Sequence, residues 1–206
     1  MEIIRLTDAN LTEAAQKASM VLMRGGIVLY PTDTLYGLAV SALNVKAVER
    51  LKDLKGREKK KPLSVAVKDI ETMQKYGKLN ERAQSIARAH LPGPLTLVVP
   101  ATDAIPKDIL LNGNIGIRIP NDPFCLALAN AFQLPYTATS ANRAGRETPA
   151  TPHEVIVQFA SLAHNIDLVI DDGPRAGGTP STVLLCAGDS VHILRHGALS
   201  KEDLGL

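Results

Sequence analysis

The chain has 206 residues, of which 45% are hydrophobic and 21% charged, a composition that is ordinary for a globular protein and excludes a disordered one. The net charge of +2 predicts no general attraction to anions, so any anion-binding surface must come from local clustering. No apolar run approaches the roughly 20 residues of a membrane-spanning helix, and the first residues lack the pattern of a signal peptide. We therefore expect a cytoplasmic protein that is not bound to a membrane, with Cys125 and Cys186 as buried, reduced thiols.

Five segments combine helical spacing of apolar residues with capping signals. They run from Asn10 to Gly25, from Asn44 to Gly56, from Asn80 to Pro92, and onward from Asp122 and from Thr151. The last two caps are each followed at once by a proline, which favours the first turn of a helix.

Between these helices lie seven short runs rich in β-branched and aliphatic residues. They cover residues 27–30, 63–67, 95–99, 115–119, 167–170, 182–186 and 191–194. Strands that alternate with helices indicate an α/β protein, and the irregular spacing of the second, third and fourth runs favours a mixed sheet. No repeat or linker divides the chain, so we predict one domain over residues 1–206, a mixed sheet flanked by helices.

Polar residues follow the first internal strand in the stretch VLYPTDTLYGLAV. Pro31 ends the strand, and Thr32, Asp33 and Thr34 place hydroxyls and a carboxylate just beyond it. Ligands of open α/β sheets bind where strand ends meet helix N-termini, so this stretch is a candidate site. A capped turn that leads into the packing of Tyr36 explains the same residues equally well.

A basic run joins the second helix to the strand at 63–67. Positions 52–61 hold six basic and two acidic residues, a local charge of +4. A solvated charge run is the usual explanation. Because this run leads directly into a buried strand, part of it must lie over the sheet, and we favour an anion site that suits a polyphosphate, a phosphodiester backbone or a carboxylate.

Two later stretches are also candidates for ligand binding. Arg118 lies among the aliphatic residues of the strand at 115–119, where an arginine needs an anionic partner, so it is a candidate for holding a carboxylate or phosphate. The loop TATSANRAG, residues 137–145, offers small side chains and backbone N–H groups that can meet a ligand. A plain Asn-rich turn is the alternative.

The last cluster lies near the C-terminus, where Gly177, Gly178 and Ser181 lead into one strand and Arg195 closes the next. The sequence has no G-x-x-x-x-G-K-[ST] loop, no H-E-x-x-H zinc motif and no G-x-S-x-G nucleophile motif. A site rich in cations and hydroxyls but poor in nucleophiles suits phosphoryl or nucleotidyl transfer by positioning and charge neutralisation.

Seven motifs, in this order, resemble those of the YrdC family: YPTDTLYGL, LKGREKKKPLSV, PGPLTLVV, GIRIP, TSANRAG, PSTVL and ILRHGALS. The resemblance covers nearly the whole chain and favours the short, single-domain form of the family. It implies a twisted mixed sheet with a concave, positively charged face. It also implies threonylcarbamoyl-AMP synthase activity, which makes threonylcarbamoyl-AMP and pyrophosphate from L-threonine, bicarbonate and ATP for the N6-threonylcarbamoyladenosine modification of tRNA.

The same resemblance implies roles for the residues that match these motifs. The catalytic residues would be Lys55, Arg57 and Lys61, of which Arg57 and Lys61 would also hold the ATP phosphates. The threonine-binding residues would be Thr34, Arg118, Ser140 and Ser181. The remaining nucleotide-binding residues would be Asn114, Ala138, Asn142, Thr148 and Arg195.

The resemblance also predicts cofactors and partners. Mg²⁺ would accompany ATP, held mostly by phosphate oxygens, so we predict no protein metal site. Downstream tRNA threonylcarbamoyl transferase proteins would use the product. Two alternatives are a protein that binds tRNA or double-stranded RNA through its basic face, and a YciO-like paralogue of different activity. The K-x-R of residues 55–57 and the S-x-N of residues 140–142 favour the synthase.

Overall fold

The computed structural model describes residues 1–58, 60–175, 179–188 and 190–206, so Lys59, Gly177 and Gly178 of the candidate stretches lie outside the described residues. The α-helices are α1 (Leu11–Met23), α2 (Val45–Lys55), α3 (Ile70–Tyr76), α4 (Glu81–His90), α5 (Pro123–Phe132) and α6 (Pro152–Phe159). The strands are β1 (Glu2–Arg5), β2 (Val28–Tyr30), β3 (Gly37–Ala39), β4 (Val65–Ala66), β5 (Leu95–Pro100), β6 (Asn114–Arg118), β7 (Tyr136–Thr137), β8 (Thr139–Ser140), β9 (Leu168–Asp171), β10 (Thr182–Ala187) and β11 (Ser190–Arg195). Short 3-10 segments cover Asp8–Asn10, Lys107–Ile109 and Ala160–Asn165.

The five predicted helices are present, and four of their caps act as expected. The side chains of Asn44, Asn80, Asp122 and Thr151 each accept a backbone N–H of the first turn. The side chain of Asn10 does not cap α1, because it turns back to accept the N–H of Thr7 and to donate to the carbonyl of Arg5.

The strands form two mixed sheets where we expected one. The first sheet has the order β1-β9-β2-β3-β8, and the second has the order β11-β10-β5-β6-β4-β7. The chain passes from the second sheet to the first within residues 136–140, since β7 pairs with β4 while β8 pairs with β3. Backbone bonds from Thr137 N–H to Val40 and from Ala138 N–H to Ser64 join the two sheets at this crossing.

Both faces of the first sheet are covered by apolar side chains. Helices α1 and α5 pack on one face, where Leu22, Phe124 and Leu128 meet Val28 and Tyr30 of β2. The larger core lies on the other face and extends over the second sheet. Both cysteines are buried free thiols, as predicted. Among the described residues, no helix has the length and apolar character that crossing a membrane requires.

Candidate active site

A cavity of about 300 Å³ opens between the two sheets. Its walls come from the loop that follows β2, from β3 and β8 of the first sheet, and from β5, β6, β10 and β11 of the second. Eight of the twelve predicted site residues line it: Thr34, Arg57, Asn114, Arg118, Ala138, Ser140, Ser181 and Arg195. These residues are far apart in sequence, and the fold brings them to one place.

Three arginines give the described part of the cavity its positive charge. Arg57 donates from Nη2 to the carbonyl of Pro62 at 2.7 Å, while its Nε is buried without a hydrogen-bond partner among the described residues. Burial lowers the pKa of Arg57, and burial together with the charge of Arg118 lowers the pKa of Arg195. Both shifts show that the surroundings disfavour the charged guanidinium, which an anion bound beside either side chain would stabilise.

The third arginine, Arg118, is 7% exposed and already has an anionic partner in the protein. Its Nη2 donates to Oδ1 of Asp33 at 2.5 Å, and Oδ2 of Asp33 accepts the backbone N–H of Asn121 at 3.2 Å. The anion that a buried arginine needs at this position is therefore supplied within the chain, by Asp33. Arg118 Nε remains buried without a partner among the described residues.

A chain of hydrogen bonds links Arg195, Ser181 and Thr96 in the wall formed by β5, β10 and β11. Arg195 donates from Nη2 to the carbonyl of Ser181 at 2.8 Å and to its Oγ at 3.1 Å. The hydroxyls of Ser181 and Thr96 lie 3.0 Å apart. Arg195 therefore fixes the position of the Ser181 hydroxyl, which faces the cavity.

The loop that follows β2 is organised by Thr32. Its Oγ1 donates to the carbonyl of Leu35 at 2.6 Å and accepts the N–H groups of Thr34 and Leu35, at 3.1 and 3.2 Å. This arrangement is the capped turn that we considered for the stretch. The same turn presents Thr34 to the cavity, so the turn and the site are one structure.

Tyr36 and Gly37 continue this wall. The Tyr36 hydroxyl donates to the carbonyl of Gly173 at 2.7 Å and accepts the N–H of Asp172 at 3.0 Å, which ties the loop after β9 to the site. A Cβ at position 37 would lie 2.9 Å from ring carbons of Tyr30. Close approach to that ring therefore requires glycine.

The basic run divides between the interior and the surface. Lys55 is 2% exposed and donates from Nζ to the carbonyl of Ser140 and to Oδ1 of Asn142, the latter at 3.4 Å. Burial, together with the charge of Arg57, lowers the pKa of Lys55 to about 7. The position of Lys55 beneath the S-x-N loop indicates that it supports this loop.

The other predicted residues outside the cavity lining differ in their surroundings. Asn142 accepts from the Ser140 hydroxyl at 2.5 Å and donates to the carbonyl of Arg146, so it holds the S-x-N loop together. Lys61 is exposed and pairs with Glu58 at 3.3 Å. Thr148 is half-buried in the loop before α6. Their roles toward a ligand remain predictions.

Several residues that line the cavity were not predicted as site residues from the sequence. Thr96 and Ser64 line the cavity with hydroxyls, and Leu111 and Leu194 are more than half exposed while lining it. Thr96 lies in the motif PGPLTLVV, where a polar residue within an apolar run was the available signal. The sequence predicted no role for Asp33, whose partner, Arg118, lies 85 residues away in the chain.

Comparison with known proteins identifies relatives of the whole chain. The Sua5/YciO/YrdC family model, described as telomere recombination, matches residues 20–197. A Methanocaldococcus jannaschii protein, provisionally named a threonylcarbamoyl-AMP synthase, is 36% identical over 206 residues, which cover 98% of this chain and 96% of the relative. The threonylcarbamoyl-AMP synthase of Bacillus subtilis is 34% identical over 210 residues and matches 98% of this chain but 59% of its own length.

Solved structures have the same fold. The crystal structure of Pyrococcus abyssi Sua5 complexed with L-threonine has a TM-score of 0.86 and 30% identity, covering 98% of this chain and 58% of that one. Escherichia coli YciO has a TM-score of 0.85 over 98% of this chain and 97% of its own, at 23% identity, and supports the fold alone. The mixed α/β fold is therefore confirmed, and the chain belongs to the Sua5/YciO/YrdC family.

Proposed function

We propose that the protein is a threonylcarbamoyl-AMP synthase, a nucleotidyltransferase that uses L-threonine, bicarbonate and ATP in the N6-threonylcarbamoyladenosine modification of tRNA. The observation that carries this proposal is the convergence of Arg57, Arg118 and Arg195 with the hydroxyls of Thr34 and Ser181 in one cavity. Relatives that carry the synthase name, and a Sua5 structure with bound L-threonine, support it. The chain spans 96% of the Methanocaldococcus relative and 59% of the Bacillus relative.

The proposed reaction has two steps. The threonine amine attacks bicarbonate, which forms a C–N bond and releases water to give an N-carboxylate. An oxygen of that carboxylate then attacks the α-phosphorus of ATP, and the bond to the β-phosphate breaks to release pyrophosphate. Two anions must approach each other in the second step, so cations that neutralise them and fix their geometry are the main requirement.

The threonine side of the cavity would be the wall that carries Arg118. Its guanidinium would hold the threonine carboxylate, because arginine binds a carboxylate through paired N–H donors. The hydroxyls of Thr34, Ser140 and Ser181, all in the cavity lining, would orient the rest of the amino acid.

The nucleotide side would use Arg57 and Lys61 for the phosphates. Arg57 lines the cavity, whereas Lys61 is exposed at the end of the basic run and must leave Glu58 to reach a phosphate. Asn114, Ala138 and Arg195 line the cavity and would contact the nucleoside, together with Asn142 and Thr148 from the loop that follows β8.

We propose that Mg²⁺ enters as part of the ATP substrate, coordinated mainly by phosphate oxygens. No group of three or more histidine, cysteine or acidic side chains with metal-binding geometry occurs among the described residues. The carboxylate of Asp33, beside the cavity lining, pairs with Arg118.

The product is a mixed anhydride that must be consumed by group transfer to tRNA. We propose that tRNA threonylcarbamoyl transferase proteins are the downstream partners and that the reaction takes place in the cytoplasm. Binding of tRNA or double-stranded RNA by the basic run is the alternative use of the same cations. It predicts affinity that falls steeply with salt and does not depend on threonine.

The proposal is tested by incubating the protein with ATP, L-threonine, bicarbonate and Mg²⁺ and following pyrophosphate. Release should require both threonine and bicarbonate, and omission of either is the internal control. Pyrophosphate release that is independent of threonine would contradict the synthase assignment and favour a paralogue of different activity.

A further inference from the structure

Asp33 is a charged residue beside the cavity for which the proposed reaction has no role. It lies between Thr32 and Thr34, whose side chains line the cavity, but it is not itself among the described lining residues. Its side chain is 11% exposed. A carboxylate in this position, behind the wall and not on it, does not meet the substrate directly.

Both oxygens of the Asp33 carboxylate are used within the protein. Oδ1 accepts from Nη2 of Arg118 at 2.5 Å, and Oδ2 accepts the N–H of Asn121 at 3.2 Å. Arg118 is the last residue of β6, and Asn121 lies three residues after the end of that strand. The carboxylate therefore joins the turn after β2 to the end of β6 and binds one end of the Arg118 guanidinium.

Arg118 needs such a partner, because two other arginines line the same cavity. Arg118 and Arg195 repel each other, and burial disfavours a further guanidinium charge there unless a negative charge balances it. An arginine side chain also has many rotamers, and a hydrogen bond to a fixed carboxylate restricts them. Asp33 uses one of the five guanidinium N–H donors and leaves the others for a ligand.

We propose that Asp33 is a positioning residue, which holds the Arg118 guanidinium in the orientation that receives the carboxylate of the amino-acid substrate. The inference rests on the proposed function for the identity of that substrate. The contact itself, between Asp33 and Arg118, belongs to the fold and does not depend on it.

The test compares Asp33→Asn with the wild type in the pyrophosphate assay. Asparagine can still accept the N–H of Asn121 but removes the charge that orients Arg118. Loss of one charged hydrogen bond predicts a rise of about tenfold or more in the KM for threonine. The KM for ATP should be nearly unchanged, a split that a general loss of folded protein would not produce.

Asp167→Asn is the matched control. The Oδ2 atom of Asp167 accepts from Arg50 at 3.0 Å and from the backbone N–H of Ile27 at 2.8 Å, and neither partner lines the cavity. This substitution removes a carboxylate that has the same kinds of partner, an arginine and a backbone N–H, and it should leave the KM for threonine at the wild-type value. An equal rise in both variants would overturn the role of Asp33.

A double-mutant cycle shows whether Asp33 acts through Arg118. Asp33→Asn added to Arg118→Ala should reduce threonine binding, measured by calorimetry, no further than Arg118→Ala alone. A further loss in the double variant would show that Asp33 acts independently and would overturn the proposal. If Asp33→Asn does not fold, Asp33→Glu must raise the KM for threonine several-fold at constant KM for ATP, and an unchanged value would overturn the proposal equally.

Failure of the proposed function gives a different result. A wild type that releases no threonine-dependent pyrophosphate would reject the synthase. The Asp33–Arg118 contact would then be tested by the same cycle in urea unfolding, where additive single effects would reject the contact. A normal wild type with an unaltered Asp33→Asn variant would reject only the role of Asp33.

Discussion

Two buried cations support different walls of the cavity, and they are held in different ways. Arg118 is 7% exposed and is paired with the carboxylate of Asp33. Lys55 is 2% exposed and contacts the neutral oxygens of Ser140 and Asn142. Burial and the charge of Arg57 lower the pKa of Lys55 to about 7. The two walls should therefore respond differently to substitution and to pH.

The largest expected effect is that of Arg118→Ala. It leaves the Asp33 carboxylate buried without its partner, which costs about 3–5 kcal/mol of unfolding free energy. It also removes the proposed carboxylate donor, so threonine-dependent turnover per folded molecule should fall by about a hundredfold or more. Urea unfolding and the pyrophosphate assay at saturating ATP measure the two effects. Loss of stability with normal threonine use per folded molecule would contradict the proposed role.

Lys55 should give the intermediate effect, seen as a pH dependence of stability. The pKa of Lys55 is about 7 in the folded chain against an ordinary value of 10.5, so between these values the unfolded chain binds more protons. The unfolding free energy should therefore rise with pH through this window, and the cost of the buried charge is fully present below pH 7. Relative to Lys55→Met, the wild type should gain on the order of 1 kcal/mol or more between pH 7 and 9.

Urea titrations of both chains at several pH values measure this difference. Substitution of the exposed Lys61 by methionine is the control, since it removes the same charge without desolvation. A difference between wild type and Lys55→Met that is flat from pH 7 to 9 would show that Lys55 is not desolvated as described.

Lys61→Ala should have the smallest effect on stability. Its ion pair with Glu58, with Nζ and Oε1 3.3 Å apart, is exposed to solvent. Exposed ion pairs contribute about 0–1 kcal/mol to the free energy of unfolding. Its effect on function should appear as a raised KM for ATP with the KM for threonine retained, the reverse of Arg118→Ala. A raised KM for threonine with an unchanged KM for ATP would contradict the assignment of Lys61 to the nucleotide side.

Sequence patterns predicted the long elements well, because their signals are local. The caps at Asn44, Asp122 and Thr151 and the apolar runs of β5 and β6 define elements without knowledge of their partners. Strands β3, β7 and β8 have two or three residues each and exist because the two sheets meet there. Without them the division into two sheets could not be predicted.

Some of the geometry around the cavity could also be predicted. The buried Arg118 was identified from its aliphatic neighbours, and the need for an anion followed from its burial. That the anion is Asp33 could not be predicted, since the two residues meet only when β2 and β6 are in place. The contact of Lys55 with Ser140 could not be predicted either, because the pattern of the basic run does not indicate which of its lysines, here Lys52 and Lys55, are buried.

The most direct test of the central claim is to follow isotope from bicarbonate into the product. The protein is incubated with ATP, Mg²⁺, L-threonine and ¹³C-labelled bicarbonate, and the AMP anhydride product is analysed by mass spectrometry. We predict a threonine-containing AMP anhydride that carries one ¹³C atom, formed in step with pyrophosphate and lost in Arg118→Ala. Pyrophosphate release without a labelled threonine–AMP product would contradict the assignment of this cavity as a threonylcarbamoyl-AMP site.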